Sequence, residues 1–471
     1  MPKVKITEID NTGSLQLNPI TNVVYIPGRA TAKTEPLFCA SASDLAEYAS
    51  TKGLENDLSY KLAKRCLQLG MQVLYQGFKG NSVTITYVEG TYSANIIEDE
   101  QTHVLSFTAS EEEFTIDSNG TKIATVKQYG PSGEKAKLEF DVVNGVATVQ
   151  SSYIFDNKEQ IIKLDFVNNK VEYNWLGVKS GGITMTDDDW DVISDKALYD
   201  LRFITTGGYA IPTQAMITCA TKRGDCVALV DANKSDTDVA SIRTYLNNFA
   251  SKYAAAFTPW FKANIGEDTT YEIPASFGYL FAYARSIQNN PTWYAVAGTF
   301  RGNIPELVSP LKEYSTAEIE MLQGRAATKE VELDEEGDNV GIAINPIAYV
   351  RGYGYLIWGN RTLVANAGYT KATSFLNVRN LCSDIKKTLY AAARKYTFEQ
   401  NSGTLWLNFK YQITPLLDRM VSGNGIASYV FEQLPTTAKA RLKARLTITP
   451  IEGVEDFELE LYLEDSLEVV E

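Results

Sequence analysis

The chain has 471 residues, 44% of them hydrophobic and 22% charged, a formal net charge of −14 and 11% aromatics, 27 of them Tyr; this is the composition of a globular protein of three or four domains and excludes a wholly disordered chain. No apolar run reaches the length of a membrane span, and Met1-Pro2-Lys3-Val4-Lys5 lacks the apolar stretch of a signal peptide, so the reading is a protein made and kept in a cytosol. One histidine, His103, and five scattered cysteines, Cys39, Cys66, Cys219, Cys226 and Cys382, leave any Ser-His-Asp, Cys-His or multi-His metal chemistry to pass through His103, and offer no CxxC pair for zinc.

Residues 2–20 alternate weakly, with Val4 and Ile6 between charged neighbours, and hold too little apolar surface for a core. They read as an extended arm that orders by pairing with something else. Val23-Val24-Tyr25-Ile26-Pro27-Gly28 is a buried strand ending in a turn. Ser43 is expected to cap a helix whose first turn carries acids. Leu58, Leu62, Cys66 and Leu69 set a second helix over 57–69, Gly70 ends it, and a strand follows at 72–75.

Between 80 and 180 short alternating runs recur, separated by turn signals such as Asn119-Gly120 and Asn144-Gly145. That spacing suggests a β-sandwich or barrel, and His103 falls in one of its strands. Residues 215–220 read as a helix end or a strand, and Arg223-Gly224-Asp225 as a turn rather than an integrin motif. Cys226-Val227-Ala228-Leu229-Val230-Asp231 is a continuous apolar strand, followed by a helix over 237–250 and a strand over 251–260, a βαβ rhythm that indicates an α/β domain with a parallel sheet. Asp231 at the strand end is a catalytic candidate by position, but no His and no Gly-x-Ser-x-Gly elbow accompany it, so a helix-cap or turn role is the better reading. A further helix opens at Pro274-Ala275-Ser276 and runs to about 288. The acidic stretch 327–339 lacks the order of a calcium loop and reads as a solvated turn.

A strand is expected at Gly341-Ile342-Ala343-Ile344-Asn345-Pro346-Ile347 and another at Tyr355-Leu356-Ile357-Trp358-Gly359-Asn360-Arg361-Thr362. The helix from 374 to 396 carries Phe375, Val378, Cys382, Ile385, Leu389, Ala392 and Tyr396 along one stripe, with Arg379, Lys386, Lys387, Arg394 and Lys395 off it. A second helix follows, then Gly423-Asn424-Gly425 turns into another strand. From 371 to 446 there are twelve Lys or Arg against four Asp or Glu, and from 447 to 471 nine acids and no base. A basic segment followed by an acidic tail suits like copies binding head to tail, with solvated surface charge as the plain alternative. In the tail Phe457, Leu459, Leu461 and Leu463 alternate with acids, the pattern of a strand that pairs with a neighbour's sheet.

In this order, the Gly-Ile-x-Ile-Asn segment at 341–345, Trp358-Gly359-Asn360-Arg361-Thr362, Asn377-Val378-Arg379 and Glu399-Gln400-Asn401, with Pro274-Ala275-Ser276, Trp293 to Gly298 and Arg301-Gly302 upstream, resemble the tail sheath proteins of contractile bacteriophages. The chain departs from that pattern by Ala343 and Ile344 before Asn345, and by Asn380 where the family has a second Arg. The resemblance covers roughly 195–450 and extends more loosely to the N-terminal arm. It implies α/β plus β: a subtilisin-like α/β sheath core domain with a β-sandwich or barrel insertion and an α+β C-terminal domain. The expected boundaries are an arm at 1–20, core at 21–79, an outer β-rich insertion at 80–185, the α/β domain at 186–370, a C-terminal domain at 371–454 and a strand arm at 455–471.

The resemblance further implies a non-enzymatic structural subunit without cofactor or metal, polymerised as stacked sixfold rings around a tail tube protein and capped by baseplate and tail terminator proteins. It would sit in a phage tail after assembly in the bacterial cytoplasm, with no direct nucleic-acid contact and no membrane insertion. Contraction would draw on new subunit contacts, since no Walker-type loop is present. Val4, Ile6, Phe457, Leu459, Leu461 and Leu463 are the expected arm residues, and Arg379, Lys386, Lys387, Arg394 and Lys395 the expected tube-facing ones. The alternative is an α/β hydrolase-like enzyme with an accessory β binding domain.

Overall fold

The computed structural model describes residues 22–30, 32–52, 57–79, the strand backbones between 82 and 179, 183, 185–209, 211–266, 270–323, 343–364, 372–437 and 441–451. The chain divides into two units, 1–398 and 399–471.

The first unit opens with β1 (Val23–Ala30), β2 (Leu37–Cys39), α1 (Ala42–Lys52), α2 (Leu58–Gln68) and β3 (Gln72–Lys79). Strand β1 pairs in parallel with β3 over its whole length, and β2 closes the edge of β3 antiparallel. The cap of α1 is Ser41, not Ser43: its Oγ accepts the Asp44 N–H at 3.3 Å while the Asp44 carboxylate accepts the Ser41 N–H at 2.9 Å, a reciprocal capping box. Gly70 stands at φ +89 and ends the turn after α2.

Ten antiparallel strands follow. The first meander is β4 (Ser82–Val88), β5 (Thr91–Glu98), β6 (Gln101–Ala109), β7 (Glu113–Ser118) and β8 (Thr121–Lys127). The second is β9 (Leu138–Val143), β10 (Val146–Phe155), β11 (Lys158–Asp165), β12 (Lys170–Trp175) and β13 (Val178–Lys179). His103 lies in β6, in register with Ile96. The chain then returns through α3 (Asp189–Val192) to β14 (Phe203–Ile204), which pairs with the free side of β1. The insertion therefore leaves from one neighbour of β1 and re-enters at the other, without altering the sheet order.

The remaining elements of the main sheet are α4 (Thr213–Arg223), β15 (Val227–Asp231), α5 (Val239–Leu246) and β16 (Ala254–Thr258). Residues 215–220 are thus helical, and Gly224 at φ +69 supplies the left-handed C-cap of α4. After β17 (Phe261–Ala263), β18 (Tyr271–Ile273), α6 (Ala275–Asn289), α7 (Gly298–Arg301), β19 (Leu307–Pro310) and α8 (Thr316–Leu322) come β20 (Asn345–Val350), β21 (Gly354–Ile357) and α9 (Leu376–Lys395). The eight-stranded sheet runs β2-β3-β1-β14-β15-β16-β20-β21, parallel from β3 to β20 with one antiparallel strand at each edge.

Side chains alternate across this sheet. Val24, Ile26, Val73, Phe203, Leu229 and Phe257 face one buried layer with α2 and α6, while Tyr25, Leu74, Ile204, Ala228, Val230 and Ala256 face the other with α4 and α5. Both faces being covered explains why β15 and β16 are buried at every position and carry no polar alternation.

The second unit is α10 (Gly403–Ser422) with the hairpin β22 (Ile426–Leu434) and β23 (Lys443–Pro450). Trp406, Phe409 and Phe431 meet ring to ring, the Trp406 and Phe431 centroids 5.0 Å apart, and Ile413, Leu417, Met420 and Ile426 complete its core. The expected C-terminal domain starting at 371 is corrected here: α9 belongs to the first unit, because its first turns are buried among residues of the sheet's own layers.

Candidate functional site

In open α/β sheets ligands bind outside the carboxyl ends of the strands, where the order reverses. Here that point lies beyond β1 and β14, and side chains of the chain itself fill it. Tyr209 donates its hydroxyl to Asp57 Oδ1, while Asp57 Oδ2 accepts from Ser59 Oγ at 2.5 Å, from the Arg29 N–H at 3.0 Å and from Tyr75 at 3.4 Å. Burial, with Asp57 beside them, holds both tyrosine hydroxyls well above the ordinary phenol range, so they remain donors.

At the end of β15, Asp231 accepts the Ser276 N–H at 2.7 Å and the Ser276 hydroxyl at 2.6 Å. It therefore caps α6, the role expected over catalysis, although on a helix distant in sequence. Burial pushes its pKa up to about 7 against these two hydrogen bonds. This Ser–Asp pair has no imidazole in its own sheet, since His103 lies on β6 of the first meander.

The motif residues of 341–380 converge instead on a buried polar clasp. Asn345 donates through Nδ2 to the carbonyls of Ala256 at 3.0 Å and Arg361 at 2.8 Å, and its Oδ1 accepts the Arg361 N–H at 2.7 Å. A Cβ on Gly359 would stand 2.7 Å from that Oδ1, so the Gly in Trp358-Gly359 is a requirement of close approach. Phe375, at the N-terminus of α9, offers no capping side chain. Asn360 substitutes for one: its carbonyl accepts the Leu376 N–H at 2.9 Å, its Oδ1 accepts the Asn377 N–H at 3.2 Å, and its Nδ2 donates to Asn377 Oδ1 at 2.7 Å. Arg361 lies 4.0 Å over the Phe375 ring and donates to Ser374 Oγ at 2.8 Å.

Further along α9, Asp384 forms an ion pair with Arg202 in which both side chains are fully buried, and it also accepts from Thr292. Burial alone would lower the Arg202 pKa, but the adjacent Asp384 carboxylate raises it instead. Arg202 also reaches the Asn380 carbonyl at 3.4 Å. Neither Arg202 nor Asp384 stood out in the sequence. The available signal was one acid beside the apolar stripe of an otherwise basic helix.

The five basic residues of α9 do not form one outward face. Arg379 is buried with its guanidinium 4.8 Å over Tyr253. Lys387 donates to the Leu201 carbonyl at 2.7 Å and pairs with Asp200, and burial followed by the nearby Arg202 charge lowers its pKa. Lys386 is exposed but turned onto Gly224 O at 2.8 Å and Tyr253 Oη at 3.2 Å. Burial alone would raise the Tyr253 pKa, yet Lys386 and Arg379 bring it below the ordinary value. Arg394 and Lys395, on the last turn, project to solvent. The helical wheel misplaced Arg379 and Lys387 because their long stems bury while their charges find partners. Val4, Ile6, Phe457, Leu459, Leu461 and Leu463, like the acidic stretch 327–339, lie outside the described residues.

Arg223 of the Arg-Gly-Asp turn is buried, bidentate to Asp225 at 3.0 and 3.1 Å, and bonded to the carbonyls of Ile193 and Tyr199. The motif is a structural turn. Among the described residues no cluster of three His, Cys, Asp or Glu could hold a metal ion, and no helix is long and apolar enough to cross a membrane.

No protein-family model matches the sequence, and no curated protein matches it. Solved structures do. The anti-feeding prophage helical sheath in its contracted state is 12% identical and aligns over 98% of this chain and 99% of its own, with a TM-score of 0.54. A chain of the anti-feeding prophage baseplate is 11% identical over 98% and 99%, at 0.53. A sheath tail protein from Desulfitobacterium hafniense is 10% identical over 94% and 100%, at 0.47. The chain thus shares its mixed α/β fold with the anti-feeding prophage helical sheath in its contracted state.

Proposed function

We propose that the protein is the structural subunit of a contractile tail sheath. It polymerises as stacked sixfold rings around an inner tube and contracts when a baseplate signal releases the extended arrangement. The observation that carries this reading is the full-length fold likeness to a contracted helical sheath, which includes both units and leaves neither chain with a large unmatched part. The chemistry agrees. The switch point of the sheet is filled by Tyr209 and Asp57, the Ser276–Asp231 pair caps a helix, and the motif residues fasten α9 to the sheet. A first unit tied by buried ion pairs moves as a rigid body, which suits a device that reorients subunits rather than reshaping them.

In this reading the subtilisin-like α/β sheet is the sheath core and the two meanders form an outward β-sandwich. The segments around Val4 and Ile6 and from Phe457 to Leu463 are strands exchanged with adjacent copies, for which the hairpin β22–β23 is the acceptor. Arg394 and Lys395 remain the tube-facing candidates on α9. Negative-stain imaging of the purified protein, alone and with its tube protein, tests the reading: long tubes of stacked rings are expected, and discrete monomers under all conditions overturn it.

A further inference from the structure

The described surface carries large apolar side chains that the folded chain leaves uncovered, and they are not scattered evenly. Phe300 on α7 is 90% exposed, and Tyr349 and Tyr353 of the β20–β21 hairpin are 63% and 57% exposed. These belong to one surface, because Asn303 Nδ2 donates to the Tyr353 carbonyl at 3.1 Å and the Ile304 N–H to the Tyr355 carbonyl at 3.3 Å. The Tyr349 and Tyr355 rings meet edge to face at 5.4 Å. Residues 298–303 and 348–355 contain no acid and two arginines, Arg301 and Arg351, in a chain of net charge −14. Among the described residues nearby, Glu313 accepts from the Tyr355 hydroxyl at 2.8 Å, and Glu306 is buried and paired with Arg65 and Arg285. Tyr, Phe and Arg without carboxylates is the composition of an interface centre rather than of a solvated loop.

The opposite charge stands on the other face of the same sheet. Thr186 to Leu198 presents exposed Asp187, Asp188, Asp191 and Asp195 together with Leu198, which is 73% exposed. Asp191 is compensated by Lys222 at 2.8 Å, and Lys196 lies 5.4 Å over Tyr390, so Asp187, Asp188 and Asp195 have no cation partner among the described residues and carry the negative field. This segment packs inward through Trp190 and Ile193 onto the second core layer, whereas Ile347, Tyr355 and Ile357 of the hairpin pack onto the first.

We infer that the aromatic, arginine-bearing patch of Phe300, Tyr349, Arg351 and Tyr353 on one copy docks on the acidic turn at Asp187, Asp188 and Leu198 of the next copy. The inference rests on the sheath reading and names one contact within it. Two like copies of charge −14 repel at most surfaces, so a contact between them is favoured at a patch poor in acids; this one also supplies the exposed Arg351 for the acids opposite, while Arg301 is held by the Ala295 carbonyl and the Tyr294 ring. Because the two patches lie on opposite faces of one sheet, each copy can use both at once. The contact is then head to tail, the kind that closes a ring or propagates a helix.

The test is a charge exchange in the full chain. Arg351→Asp, and separately Asp187→Lys with Asp188→Lys, are expected to raise the critical concentration for assembly at least tenfold, measured by light scattering and electron microscopy. Combining the three substitutions is expected to return it to within about threefold of wild type, since the pair is restored with reversed sign. All sites are exposed, and unchanged circular dichroism checks the fold. In parallel, a benzophenone amino acid at position 353 is expected to crosslink a second copy at residues 186–198, read by mass spectrometry at high protein concentration. Unaltered assembly of the single-patch variants, absence of rescue, or crosslinks mapping elsewhere overturns the inference while leaving the sheath reading intact. A wild-type chain that never assembles sinks the sheath reading, and the crosslink map then decides this contact by itself.

Discussion

Asp384 is a carboxylate without exposure, and its one full charge partner, Arg202, is equally buried. Removing the acid alone leaves a guanidinium in a dry interior, which costs about 3–5 kcal/mol. Asp384→Ala is therefore expected to lower the urea midpoint of the first unit severely. Arg202→Met combined with Asp384→Leu is expected to regain most of the loss, because an apolar pair of similar volume needs no solvation. Equal destabilisation of the single and the double variant would show that the pair is not coupled.

Asp231 provides the pH counterpart. Its folded pKa, pushed by burial to about 7, lies above the unfolded value near 3.9, so the folded state holds the proton more tightly. Stability is then greatest below about pH 4, falls as pH rises toward about 7, and is flat above. The slope is roughly 1.4 kcal/mol per unit at most. Asp231→Asn keeps a hydrogen-bond acceptor at the end of α6 and removes the titration. The stability of wild type relative to this variant, measured by urea unfolding from pH 4.5 to 8, should therefore be constant above about pH 7 and rise as the pH falls below it, and a difference independent of pH would refute the assignment.

At the scale of elements, the insertion and the main sheet are separable by topology. β3 and β14 flank β1, and the ten meander strands lie between them in sequence without contributing a strand to the eight. Replacing residues 81–181 with a short Gly/Ser linker is expected to leave the thermal unfolding of the α/β unit within a few degrees of wild type. Circular dichroism would also show the loss of antiparallel signal alone. Collapse of the α/β transition would mean that the meanders share its core. Helix α9 makes the contrasting case. Its stripe predicted the right helix, yet two of the charges drawn on its wet side point inward, to Tyr253 and to Leu201 and Asp200.

At the scale of the whole molecule, sheath function requires copies to hold one another through contraction. Residues 1–18 and 455–471 carry the alternating patterns expected of strands that pair with a neighbouring copy, so deleting either is expected to leave a soluble monomer with native circular dichroism and no tubes. Normal tubes from both truncations would refute strand exchange.

Periodicity in the sequence was sufficient for the strands β1, β15 and β16, the helices α2, α6 and α9, and the β-strand character of 80–180, because local apolar patterns report directly on which face is buried; that those strands pair as two meanders was not read from it. The motifs that hold Asn345, Gly359, Asn360 and Asn377 were legible only as a resemblance, in chain order. What those residues do was decided by tertiary structure. Asn345 satisfies carbonyls from β16 and from the chain after β21, and Asn360 caps a helix sixteen residues downstream, pairings that no local pattern encodes. At Asn380, where the chain departs from the pattern, the side chain is buried and its Nδ2 donates to the Tyr279 hydroxyl oxygen at 3.3 Å, again a partner from a distant element. Burial of a charge depends on what lies across the interface from it, and that is a property of the folded chain.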